Sequence, residues 1–340
     1  MSSNERRRPS GRRRLPAVVA GLVLSTGFAL SACGPAPTPP ASGAVASASP
    51  DTSPSPIVAP SLLAVPPDER LVVLVDQHPL PEILTWLGKG SIALPPPRPG
   101  LRDLAIGPDG RVAILAEDGI FIADALADDA RWAAVPELRP PRDHLVTGLA
   151  WSPDGKLAWA AARELGVSPF TVAAGSPGEV PARVEVDAGL DGGPAWLDTK
   201  RIAVPVVRDP LGGLIIVSLA GDGTPFEPIP AGVLAVASRA GLVALGDRHA
   251  ARIEIRRIED LTASGGPPLA VIEEADAAVA VDLAFSVDGR WLAAAWTADD
   301  GSLLAIGVYD GDGGWIEGGR LDRAALKADP DARVRLAWRP

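Results

Sequence analysis

Residues 148–162 read GLAWSPDGKLAWAAA: a small residue, a Leu-Ala-Trp triplet, a turn, a basic residue and an apolar run. Pro153-Asp154-Gly155 suits a tight hairpin, because proline presets φ and glycine accepts the positive φ such turns need. The apolar stretches on either side are too short for a helix and have the length of a strand. The phrase recurs as LLAVPPDERLVVLV (62–75), DLAIGPDGRVAIL (103–115), GPAWLDTKRIAVPVV (193–207), VLAVASRAGLVAL (233–245) and DLAFSVDGRWLAAAW (282–296). It closes the chain as RLAW (335–338).

The alanines that anchor these phrases are Ala64, Ala105, Ala150, Ala195, Ala235, Ala284 and Ala337, spaced by 41, 45, 45, 40, 49 and 53 residues. A period of about 40–50 residues with several strands per unit is the signature of a β-propeller. Helical solenoids share the period, but the intervals hold no amphipathic helix of adequate length. The third interval divides into strands at 148–152, 157–162, 170–173 and 183–186. The fourth divides into 195–197, 202–207, 214–219 and 226–229.

The LAWSPDGKLAW phrase resembles the repeats of TolB-like and WD40 propellers, and the resemblance spans roughly 61–340. The Gly-His and Trp-Asp dipeptides of true WD40 blades are absent. Joined to the N-terminal features below, the phrase also partly resembles the propeller portion of LpqB-like lipoproteins. Both resemblances imply an all-β fold of four-stranded antiparallel blades.

Closure leaves two counts open. Seven anchors exist, yet the last phrase ends at Pro340. Pairing 334–338 with N-terminal strands near 71–75, 83–87 and 91–94 completes one blade from both ends and leaves no open edge. That gives six blades, with 62–65 as an extra strand; seven is the alternative.

Working outward, residues 34–60 are rich in Pro, Ala and Ser with no aromatic residue, a composition that builds no core and serves as a semi-rigid tether. Before it, six arginines between Arg6 and Arg14 precede the apolar run 15–32, which ends Leu30-Ser31-Ala32-Cys33. A basic start, a moderate apolar stretch and small residues before a cut site make a signal peptide. The last four residues resemble the bacterial lipobox, whose cysteine takes the lipid. The expected organisation is therefore a signal peptide over 1–32, lipidated Cys33 with a tether to 60, and a propeller over 61–340. The chain would then sit lipid-anchored on the extracytoplasmic side of the cell membrane. Export by the general or the twin-arginine route stays open; Arg12-Arg13-Arg14 fits the latter and Pro16 does not.

Charge and residue counts exclude several classes of function. Residues 1–32 carry six arginines against Glu5, a net +5, so the rest holds −15 of the overall −10. Such an acidic domain repels phosphate backbones, which argues against nucleic-acid partners. The single cysteine permits no internal disulfide and no multi-Cys metal site. His78, His144 and His249 fall at non-equivalent repeat positions, and no nucleophile elbow or phosphate loop is present. No cofactor and no metal is implied. Asp310-Gly311-Asp312-Gly313-Gly314 reads as a turn, since the remaining ligands of a calcium loop are missing.

Trp151, Trp196 and Trp338 share one repeat position with Ile106 and Phe285, which reads as packing between blades rather than a carbohydrate platform. The candidate site is positional. The loop after the second strand carries charge in repeat after repeat: Glu117-Asp118, Arg163-Glu164, Arg208-Asp209, Asp247-Arg248-His249 and Asp299-Asp300. Equivalent loops lie on one face of a propeller, and Arg142-Asp143-His144 should reach the same face. Arg142, Asp143, His144, Arg163, Glu164, Arg208, Asp209, Asp247, Arg248 and His249 form this expected rim. Two functions remain open: a non-enzymatic module that binds a protein partner or small ligand, and a hydrolase or lyase working on glycans or peptides at the channel mouth.

Overall fold

The second strand of the repeats is apolar along its whole length instead of alternating, the mark of a strand covered on both faces. The computed structural model shows what covers it. It describes residues 70–76, 81–85, 91–92, 100–127, 129–207, 213–219, 232–239, 241–261, 266–310 and 313–340, and these form six four-stranded sheets, the blades of a propeller.

Blade 1 holds β1 (Leu71–Asp76), β2 (Glu82–Thr85) and β3 (Ser91–Ile92). Blade 2 holds β4 (Asp103–Ile106), β5 (Val112–Ala116), β6 (Gly119–Ala123) and β7 (Ala133–Ala134). Blade 3 holds β8 (Leu145–Trp151), β9 (Leu157–Ala162), β10 (Phe170–Gly175) and β11 (Ala182–Val186). In blade 4, β12 (Gly189–Leu190) and β13 (Ala195–Trp196) both pair with β14 (Arg201–Val207), followed by β15 (Gly213–Ser218). The innermost strand of this blade is thus split, and its expected outer strand at 226–229 lies outside the described residues. Blade 5 holds β16 (Val233–Arg239), β17 (Leu242–Asp247), β18 (Arg252–Arg257) and β19 (Ala270–Glu273). Blade 6 holds β20 (Val279–Phe285), β21 (Trp291–Thr297), β22 (Leu303–Asp310) and β23 (Trp315–Asp322).

The chain then makes one helical turn, α1 (Arg323–Leu326), which buries Leu326, and returns as β24 (Arg333–Trp338). That helix accounts for the long last interval. β24 pairs with β1 from Leu71↔Trp338 to Asp76↔Arg333 and becomes the innermost strand of blade 1. The count is six, closed by pairing the first and last described strands. The expected extra strand at 62–65 lies outside the described residues.

One anchor moves. In blades 2, 3 and 4 the anchor alanine faces an alanine of the second strand: Ala105↔Ala113, Ala150↔Ala158 and Ala195↔Ala203. In blade 5 that place belongs to Ala237, opposite Ala244, and not to Ala235, which sits past a bulge opposite Gly246. The hairpin there is shorter than the Asp-Gly hairpins, whose Gly110, Gly155 and Gly289 have φ of 85°, 82° and 72°. The lost residues displace the repeat, so the corrected spacings on either side of Ala237 are 42 and 47.

Side chains from facing blades fill six clusters, one per seam. Trp159 and Trp296 are fully buried in two of them. Burying one large apolar side chain stabilises by about 1.5–3 kcal/mol, so the seams carry most of the packing energy.

Candidate functional site

The innermost strands stand side by side around a narrow channel with two different ends. At the end where these strands begin, the described residues of the expected rim fall into two separate groups. His144 Nδ1 stands 3.0 Å from Asp143 Oδ1, and Arg163 Nε lies 3.6 Å from Asp143 Oδ2. The hydrogen bond from His144 holds the Asp143 carboxyl below its usual range. Arg142 and Glu164 are exposed beside them. Between blades 4 and 5 Arg248 pairs with Asp191, and Asp247 Oδ1 accepts the His249 backbone N–H at 2.7 Å. Among the described residues no ion pair or hydrogen bond joins these two groups. Arg208 and Asp209 lie outside the described residues, as does Cys33.

Below the rim is a cluster that repeat-counting passed over. Two residues before each anchor alanine stand Asp103, Gly148, Gly193, Ala235, Asp282 and Arg335. Three are charged and three are small. The small ones let the strands approach: a Cβ on Gly148 would lie 3.1 Å from Gly193 Cα. The charged ones converge. Arg335 Nε lies 3.3 Å from Asp103 Oδ1, its Nη1 3.6 Å from Asp282 Oδ1, and its Nη2 donates to the Thr147 carbonyl at 2.8 Å. The second oxygens of the carboxylates accept backbone N–H groups of the next blade, Leu149 for Asp103 and Leu336 for Asp282.

Burial raises the pKa of both aspartates, against the pull of Arg335, and pushes Asp282 up to about 6. Burial also opposes the charge on Arg335, but the carboxylates of Asp103 and Asp282 outweigh it and its pKa rises. Two acids share one base here, so this end of the channel is occupied by an internal ion cluster. The signal for it was the charge at a position otherwise held by Gly or Ala.

The other end is built from the residues after the anchors. Trp151 Nε1 donates to Ala105 O at 3.2 Å, Trp196 Nε1 to Ala150 O at 3.0 Å, and Trp338 Nε1 to Ala284 O at 2.9 Å. Each indole reaches back over the anchor of the preceding blade, so the shared tryptophan position is a seam seal, as its repetition implies. Arg111 braces one seal, its guanidinium 4.8 Å over the Trp151 ring and bonded to Gly155 O at 3.3 Å. With the anchor at Ala237, the residue in the tryptophan position of blade 5 is Ser238. Its hydroxyl donates to Trp196 O, and among the described residues no ring covers the seam.

A groove of about 920 Å³ opens there, sharing Trp151, Trp196, Ser238, Arg239 and Val287 with the lining of the channel mouth. Trp151, Trp196, Ser238 and Leu242 are among its lining residues, and Arg201, Arg239 and Arg257 stand against Asp198 and Glu259. Arg201 pairs with Asp198 at 2.6 Å and Arg257 with Glu259 at 3.6 Å. Arg239 donates from Nε to Val287 O at 2.7 Å, and among the described residues no carboxylate lies within ion-pair distance of it. Burial lowers its pKa, with the charge of Asp288 acting against that.

No protein-family model matches the sequence, and no curated protein matches it. Solved structures do. TolB from Acinetobacter baumannii superposes with a TM-score of 0.57 at 16% identity, over 82% of this chain and 69% of that one. A protein of unknown function from Bacteroides caccae gives a TM-score of 0.56 at 15% identity, over 80% of this chain and 99% of that one. The fold is a TolB-like propeller. At such identity the likeness extends to architecture and leaves the site to be argued from the residues themselves.

Proposed function

We propose that the chain is an extracytoplasmic lipoprotein, anchored at Cys33 and tethered through residues 34–60, whose propeller recognises a protein partner at the groove between blades 4 and 5. The observation that carries the recognition site is Ser238. It stands where three other blades seal the seam with tryptophan, and the missing ring leaves a concave, partly apolar surface of the size that binding sites have. The anchor and tether rest on the basic N-terminus, the lipobox-like residues and the Pro/Ala/Ser-rich stretch.

Site-specific photocrosslinking in intact cells tests the site. A crosslinker at Thr199, on the groove's exposed lip, should capture a defined partner, whereas one at Val180, 94% exposed on blade 3, should not. Capture from Arg163 and Glu164 instead would move recognition to the charged rim. For the anchor, Cys33→Ser should release the protein from membranes; its persistence in a carbonate-washed pellet would count against lipidation.

The enzymatic reading has one observation in its favour, the contact of Asp143 with His144 and Arg163. Asp143 and Arg163 are 66% and 80% exposed, so water reaches the cluster freely and little of its field is retained. Hydrolase activity lost in His144→Ala would revive it.

A further inference from the structure

The charge of the groove points to what it takes. The chain is acidic, with a net charge of −10, yet the groove gathers three arginines against two carboxylates. Those carboxylates are engaged by Arg201 and Arg257, which leaves the positive charge of Arg239 without an ion-pair partner among the described residues. A partly buried cation that bonds only a carbonyl retains donors for an anion, and a charge-assisted hydrogen bond to a carboxylate is among the stronger ones available. Beside it Leu197, Leu242, Ile258 and Val287 supply an apolar wall.

The tryptophans narrow the class further. Trp151 and Trp196 are only 8% and 5% exposed, and both indole N–H groups are spent on backbone carbonyls. So little of either ring is exposed that, among the described residues, the groove lacks the stacking platform a sugar would use. We infer that the groove binds a peptide segment in which a carboxylate, from Asp, Glu or a chain terminus, adjoins an apolar side chain, the carboxylate lying on Arg239. This rests on the groove being the recognition site and adds the chemistry of its ligand.

Short synthetic peptides test it against the full-length chain, with fluorescence anisotropy as the readout. One set combines apolar residues with Asp or Glu, a second replaces these with Asn or Gln, and a third replaces them with Lys. The acidic set should bind about tenfold tighter than the amide set, the effect of one charge-assisted hydrogen bond, and the Lys set weakest. Arg239→Gln should erase the preference for the acidic set, while Arg239→Lys retains part of it. Filling the groove by Ser238→Trp, or by Thr199→Trp at the exposed lip where folding is not at stake, should abolish binding of every set. Binding lost on filling but indifferent to peptide charge would overturn the carboxylate inference and leave the groove standing. Binding that survives both filled variants would overturn the groove itself. Failure of every set to bind would overturn the inference.

Discussion

The seam between blades 3 and 4 and the seam between blades 4 and 5 share a design and differ at one repeat position. In the first, Trp196 follows its anchor, crosses to Ala150 O and closes the face. In the second, Ser238 reaches only Trp196 O, and the same place is a groove. Among the described residues, the cluster beneath the second seam contains no aromatic side chain, whereas Phe170 and Trp196 lie in the first. In a closed ring each blade needs two covered faces, but the rim of one seam can remain open if deeper packing holds. A repeat protein can thus gain a site by losing a residue from its pattern.

The contrast assumes that the ring is shut elsewhere, and the largest effect comes from opening it. Removing 333–340 strips β24 from β1 and exposes Leu71, Val73 and Val75. Cooperative thermal unfolding should disappear or shift far downward; an unchanged melting temperature would end the closure argument. Next, Trp196→Ser writes the blade-5 solution into blade 4. It should cost about 3–5 kcal/mol, the usual penalty for deleting a buried tryptophan, read as a lower denaturation midpoint. A loss under about 1 kcal/mol would mean that these seams do not depend on their seals.

The third effect concerns the opposite end of the channel. The folded pKa of Asp282 lies above its unfolded value near 3.8, so between about pH 4 and pH 6 the folded state holds more protons. Its contribution to stability therefore falls as pH rises through that window, by about 1–3 kcal/mol. Asp282→Asn should flatten this slope while keeping an acceptor for Leu336 N–H. Asp109, Asp154 and Asp198, whose pKa values are lowered by pairing despite some burial, act in the opposite sense and cost stability below about pH 4. If the wild type and the Asn variant share one pH profile, the cluster is not coupled to folding. The smallest effect on stability should come from Ser238→Trp, within about 1 kcal/mol of wild type, because the ring fills open space and meets a seam already packed below. Its consequence should be loss of partner capture from Thr199.

Much of this was legible in the chain. The alanine spacing announced blades, the Asp-Gly pairs announced hairpins, and the fate of Trp151, Trp196 and Trp338 followed from their equivalence. The displaced anchor in blade 5 was not legible, because Ala235 and Ala237 both lie in an alternating apolar strand. Only the ladder to β17 says which of them faces Ala244. The groove depended on that register, since a one-anchor error hides Ser238 among ordinary strand residues.

The order of apolar and turn residues was enough to establish the repeat and to narrow the count to six or seven blades, because these are properties of position along the chain; the pairing of β24 with β1 decides for six. Which charges meet is a property of the ring. Residues far apart in sequence, such as Thr147 and Arg335, become neighbours only when the blades close and the innermost strands fall into register. Hydrogen bonds and ion pairs act over a few ångströms, so neither the plugged end of the channel nor the open seam at the other exists until that closure has occurred.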